Sequence, residues 1–299
     1  MSKHVSPGTG RRYPLTLVCQ VWEVARSSVY ATPASAGGAG GTAPGKRGPR
    51  TAIGDRELVE RIRQVLAQTP FHGEGYRKVW ARLRFGENPV VVGKQRVLRL
   101  MRRHQLLAPT RTGTPHGPKA HDGHIITDAP NVMWGADGTR FFTEQDGWCW
   151  LFTAVDHHTS EIVGHYVTKR GDRFAALEPV TQGVRTCFGA VAADMARGLA
   201  VRHDHGPQYA ARDFRAGLTF LGITPSPAFV GEPEGNGVAE RAFRTLKEQC
   251  LYVHRFQTLM EARQVISDFV ARYNEQWLVA KHGYQPPAVV RRTWEARAA

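Results

Sequence analysis

A chain of 299 residues, 41% hydrophobic and 22% charged, is long enough for two domains with a core of their own, and it carries a formal net charge of +14. Its four cysteines, Cys19, Cys149, Cys187 and Cys250, have no C-x-x-C spacing, so neither a zinc knuckle nor a disulfide framework is indicated. No run of about 18 apolar residues occurs and the amino terminus lacks a long apolar segment, which argues against membrane spanning and secretion and makes a cytoplasmic protein the simplest reading.

The charge is unevenly placed. Residues 1–119 hold 21 Lys and Arg against 6 Asp and Glu, whereas residues 120–299 hold 19 against 20. Such a split suits a DNA-holding region joined to a near-neutral catalytic region, because affinity for a polyanion grows with the phosphates neutralised and the counterions released. A merely soluble basic surface is the plain alternative.

In chain order, residues 1–31 come first. Leu15, Val18, Cys19, Val21 and Trp22 recur at helical spacing, and a break then leads to a polar stretch with Arg26, Ser27 and Ser28. This pattern fits the latter part of a helix-turn-helix with Arg26 facing DNA, and equally a short amphipathic hairpin that packs only on its neighbour. Residues 32–54, rich in Gly, Ala, Pro and basic residues, read as a flexible basic linker. Residues 55–120 read as a helical DNA-binding domain, with helices at 57–66, 79–83 and 93–103 and punctuation at Gly73 and Gly75. In the third helix Arg96, Arg99 and Arg103 recur at spacings of three and four beside Val97, Leu98 and Met101. A basic ridge backed by an apolar face suits a groove-facing helix.

The remainder predicts a mixed α/β sheet. Strands near 132–142, 148–156 and 161–168 form an antiparallel meander, since the turn at 144–147 is short. A helix over 173–188 follows, then a strand ending at Asp204, a helix near 211–221, a brief strand at Ile223, and helices over 236–251 and 259–273. Residues 291–299 read as a tail.

Three acids stand out against this frame. Asp137 lies within the first strand, where a buried carboxylate needs a partner or a metal. Asp204 ends an apolar run stopped by Gly206 and Pro207, and ligand sites in open α/β sheets favour the carboxyl ends of strands. Glu240 opens a helix whose core stripe is Val238, Phe243 and Leu246, while Asn236, Glu240, Arg244 and Lys247 share another face. Each has an ordinary reading when taken singly: turn former, first-turn acid, helix cap for Asn236, or solvated charge for Arg244 and Lys247. Together the three carboxylates are the minimum ligand set for two divalent cations, and hard oxygen donors fit Mg²⁺ or Mn²⁺ and not zinc.

The residues around these acids carry a resemblance. Asn131, Trp134, Asp137 and Thr139 come first, then Gly147-Trp148-Cys149-Trp150-Leu151, Val155-Asp156 and Ile162-Val163-Gly164. They are followed by His203-Asp204-His205-Gly206-Pro207-Gln208-Tyr209, by Asn236, Ala239-Glu240, Phe243 and Leu246-Lys247, and by Tyr273-Asn274 and Gly283-Tyr284-Gln285-Pro286-Pro287. In this order and spacing the chain resembles the transposases of the IS-three family of bacterial insertion sequences, in their second-reading-frame product with a retroviral-integrase-type core.

The resemblance implies an α/β RNase H-like catalytic core over residues 125–290, preceded by small all-α helix-turn-helix DNA-binding units. It implies that Asp137, Asp204 and Glu240 are both the catalytic residues and the ligands of two Mg²⁺ or Mn²⁺ ions. Lys247 matches a basic residue commonly placed seven after the glutamate. With Arg244, Asn236, Arg96, Arg99, Arg103 and Arg26 it makes up the expected DNA contacts. The expected activity is DNA strand cleavage and strand transfer by a homo-oligomer on DNA, together with an upstream-frame product or as a frameshift fusion. Gly138, His203, Trp277 and Val279 depart from the usual pattern, and Gly138 predicts a locally flexible strand. A regulatory DNA-binding protein and a hydrolytic nuclease of similar fold are the other classes weighed.

Overall fold

The structure, a computed structural model, describes residues 5–30, 52–109, 125, 127–227 and 237–298. The chain divides at Thr51 into two compact units. Within the first, α1 (Leu15–Val21) and α2 (Arg26–Tyr30) are joined by a short turn, and Arg26 is exposed on the second helix.

The second unit opens with α3 (Asp55–Gln68), α4 (Tyr76–Phe85) and α5 (Lys94–Arg103). Leu58, Ile62, Val79, Leu83, Val97, Leu100 and Met101 form their common core. The strands β1 (Met133–Thr143), β2 (Gly147–Asp156) and β3 (Ile162–Thr168) make the predicted meander, followed by α6 (Arg173–Phe188). Next come β4 (Ala200–His203), the single turn α7 (Pro207–Ala210), α8 (Arg212–Phe220) and β5 (Thr224–Pro227). The chain continues through α9 (Gly237–Leu246), α10 (Leu259–Gln276) and α11 (Pro287–Ala298).

The sheet runs in the order β3-β2-β1-β4-β5, antiparallel across the meander and parallel where β4 pairs with β1 and β5. Strand alternation divides its side chains between two cores. Trp134, Ala136, Phe152 and Ala154 face the layer of α6 and α8, with Phe214 and Leu218. Phe141, Cys149, Leu151 and Val155 face α9 and α10, with Leu246, Ile266 and Phe269. Gly138 is needed for packing: a Cβ there would lie 2.6 Å from the Phe152 ring, so the expected loose strand is a close contact between ring and backbone.

Two sets of contacts tie together segments that the sequence reads as separate. The helical domain at 55–109 and the core form one compact unit, because Phe71 is inserted into the core beside Phe269 and Trp277, with the Trp277 ring 4.9 Å away and edge-on. His72 and Gln249 exchange two 2.8 Å hydrogen bonds across the same seam. Residues 291–298 are no loose tail; they continue α11, which Arg291 pins to Glu161 and, at 3.1 Å, to Asn131. Length alone could not reveal this anchor, since the partners of Arg291 lie far away in sequence.

Candidate active site

Strand pairing brings the first two acids together. In the parallel register Gly135 of β1 lies beside Arg202 of β4, so Asp137 and Asp204, each two residues further along, extend from the same end of the pair. The second core holds α9 against β1 and β2 through Ala242 and Leu246, and Ala239 and Phe243 are buried as well, which leaves Glu240 and Arg244 on the exposed face. At Lys247 the helix widens into a π-helical turn, Lys247–Leu251, a feature common at functional sites.

The electrostatics of Asp137 register the assembly. Burial raises its carboxyl to about 6, the Gly138 N–H opposes that shift from 2.7 Å, Asp204 and Glu240 add to it, and Lys247 counters it. One aspartate therefore senses both other acids and the predicted lysine. Asp204 accepts a 2.9 Å bond from the Gly206 N–H, and its carbonyl is 2.7 Å from Nδ1 of His203. Burial pushes the His203 imidazole down while that carbonyl pulls it up. The histidine at this departure from the family pattern therefore braces the loop.

Tyr209 is a residue whose role the sequence did not disclose. Its ring stacks on His203 at 5.4 Å, its buried hydroxyl has no hydrogen-bond partner among the described residues, and burial with Asp137 and Asp204 raises its pKa. The only sequence signal was its fixed place five residues after Asp204.

Among the described residues, no three His, Cys, Asp or Glu side chains form a ready metal cage. The donor set still fits a divalent cation: it is all oxygen, Asp137 is buried beside like charges, and the Tyr209 hydroxyl lacks a partner.

The fold and known families agree. Residues 127–233 match the family described as "Integrase core domain", residues 221–287 match a second family of the same description, and residues 54–113 match an "HTH-like domain". The chain carries an integrase core domain behind an HTH-like domain, and DNA transposition is the function that its homologues and this core support. This transposase is similar to Transposase InsD for insertion element IS2A/D/F/H/I/K of Escherichia coli, at 27% identity over 238 residues, covering 78% of this chain and 77% of that relative. Among solved structures, a simian T-cell lymphotropic virus intasome chain is 18% identical, covers 67% of each chain and gives a TM-score of 0.47. The BIV integrase catalytic core is 18% identical, covering 56% of this chain and 98% of that one with a TM-score of 0.41. The transposase has the RNase H-like integrase-core fold and is a polynucleotidyl transferase, and integrase cores depend on divalent metal.

The expected DNA contacts separate. Lys247 reaches the electrostatic field of Asp137, and Arg244 is exposed on the Glu240 face of α9. Asn236 lies outside the described residues. The α5 ridge needs correction at Arg96. That guanidinium turns inward to Asp55 at 2.7 Å and to the Ile53 carbonyl at 2.8 Å, so it clamps α5 to the start of α3. Arg99 shares Asp55 at 3.0 Å, while Arg103 is exposed with no ion pair among the described residues. The spacing was right for one helix face, but sequence could not show that Asp55 lies opposite it.

No helix among the described residues is long and apolar enough to cross a membrane.

Proposed function

We propose that the transposase cuts and rejoins DNA with Asp137, Asp204 and Glu240 as the ligands of two Mg²⁺ or Mn²⁺ ions. The observation that carries this reading is the environment of Asp137, which feels Asp204, Glu240 and Lys247 from its place within the sheet. Asp137 and Asp204 hold the strand side of the site and Glu240 the helix side. Bound cations supply Lewis-acid polarisation of phosphoryl oxygens. Lys247, at the start of the widened turn, places a cation where a DNA phosphate approaches, and Arg244 extends the same face one turn back.

Two displacements complete the reaction. Water replaces the 3′-oxygen at an element end, leaving a free 3′-hydroxyl and a 5′-phosphate. That hydroxyl then attacks a second phosphodiester, exchanging one P–O bond for another and releasing a new 3′-hydroxyl. The basic helical domain, with Arg99 and Arg103, holds DNA, and Arg26 of the first unit and Asn236 are assigned to the same role. The transposase acts as a homo-oligomer on DNA, joined by an upstream-frame product or as a frameshift fusion.

The test uses labelled element ends, Mg²⁺ and a target plasmid. Joined products are expected from the wild type, and Asp137→Asn, Asp204→Asn and Glu240→Gln should each abolish cutting and joining while retaining end binding. Near-normal joining by any of them removes that residue from the ligand set; cutting without joining favours a hydrolytic nuclease.

A further inference from the structure

The β1–β2 hairpin carries an aromatic and basic surface that the acid site does not use. On its α6-side face, Gly138 pairs with Phe152, Arg140 with Trp150, and Phe142 with Trp148. The Trp150 and Phe152 rings are parallel within 4° at 5.5 Å. Towards the tip, Trp148 is 55% and Phe142 50% exposed, an unusual cost for rings of this size in water. The guanidinium of Arg140 lies 4.8 Å from the Trp148 centroid and 5.8 Å from that of Trp150.

Positive charge surrounds these rings. Lys169 and Arg170 are exposed where β3 ends beside Trp150, and the Lys169 amine is 3.6 Å from where a Cβ of Gly147 would stand. Among the described residues, none of Arg140, Lys169 and Arg170 is in an ion pair. Phe174, 58% exposed at the start of α6, lies under Arg173, which is itself paired with Asp213.

The surface connects with the acid site. Gly171 leaves room for the Trp150 ring, which would be 2.2 Å from a Cβ there, and its carbonyl accepts a 3.1 Å bond from Gln208 of α7, the turn that follows Asp204. The β4 pairing of β1 ends at Gly135. From Asp137, β1 runs on for about 10 Å to Arg140 and about 17 Å to Phe142 at ~3.4 Å per residue.

We propose that this face of the hairpin is a stacking platform for unpaired bases of the DNA strand that leaves the acid site. Base faces are available for stacking only where pairing is broken. Aromatic side chains on neighbouring strands of a sheet accept successive bases without regard to sequence, and interleaved arginines and lysines take the phosphates. A second copy of the chain is a poorer occupant, since a two-fold contact would set Arg140, Lys169 and Arg170 against their own kind.

The proposal rests on the DNA-joining reading, and its test requires no cleavage. The full chain is titrated, in chelator, with a blunt duplex and with the same duplex bearing a short unpaired overhang containing 2-aminopurine. The overhang should bind about tenfold tighter and its fluorescence should be quenched by stacking. Trp148→Leu should erase both the preference and the quenching without changing blunt-duplex affinity, and Trp148→Phe should retain most of each. Because position 148 is exposed, leucine leaves the core intact, which a thermal melt verifies. The idea is overturned if the wild type shows no overhang preference, or if Trp148→Leu keeps it. It is also overturned if that variant alters only the sedimenting species, which would make the face a contact between copies. Normal joining by Asp137→Asn would defeat the acid-site reading and leave this binding result standing.

Discussion

Asp137 and Asp156 belong to the same pair of strands, and both are acids within a sheet, yet their surroundings are opposite. Asp156 is fully buried and saturated. Its oxygens accept from Asn131 N at 2.7 Å, Trp134 Nε1 at 3.2 Å, Thr159 N at 2.7 Å and Thr159 Oγ1 at 3.1 Å, with Arg291 3.6 Å away. Asp137 accepts a bond from the N–H of its neighbour Gly138 and has two other acids near it. The saturated carboxylate holds a turn, a strand and α11 together. The undersatisfied one has the environment expected of the cation ligand proposed above.

Substitution should separate the two most clearly. Asp156→Asn removes one of the two carboxylates around Arg291 and turns an amide donor toward N–H groups that the carboxylate had accepted, and a loss of about 3 kcal/mol is expected from chemical denaturation. Asp137→Asn, measured without metal, removes a buried charge and should be as stable as the wild type or more so. Equal destabilisation by both would erase the distinction.

Lys78 extends the comparison to the domain seam. Its amine lies 2.7 Å from the Trp277 ring centroid without a hydrogen-bond partner among the described residues, and burial lowers its pKa to about 6, partly opposed by Glu74. The unfolded chain holds this proton more tightly. Between about 6 and the ordinary 10.5, folding therefore releases a proton and stability rises with pH; below about 6 both states are protonated and the penalty is constant and full. Lys78→Met should raise the melting temperature by a few degrees at neutral pH and flatten its rise toward pH 10.

The smallest expected effects lie on α5. Arg103→Ala should weaken DNA binding uniformly across sequences and lower the salt slope by about one, with no change in melting. Arg96→Ala should instead cost about 1 kcal/mol or less of stability by releasing Asp55. Loss of DNA affinity by Arg96→Ala at unchanged stability would restore the wider ridge.

Much of the core was legible because its signals are local. Alternation and a short turn marked β1 and β2, helical spacing marked α6 and α10, and the strand-ending Gly206-Pro207 marked Asp204. The three-acid motif was legible as a pattern, and the integrase-core and HTH-like matches fall on the segments that the motifs and charge had marked. Long-range partners were not legible. Trp277 was only a departure from a family pattern until Phe71 and Lys78 were found against it. Asn274 was a motif residue whose side chain bonds both the N–H and the carbonyl of Ile162.

By itself the sequence determined which segments become strands and helices, where the positive charge lies, and which carboxylates stand at strand and helix ends. Periodicity and charge are properties of neighbouring residues, so the chain states them directly. Tertiary structure decided which charges are available for chemistry. Burial and the partners brought by folding made Asp156 and Arg96 structural, left Asp137 beside Asp204 and Glu240, and set the Trp148 ring in solvent beside Arg140. Those outcomes depend on groups from eight to more than a hundred residues apart, whose pairing exists only once the sheet and helices have formed and packed.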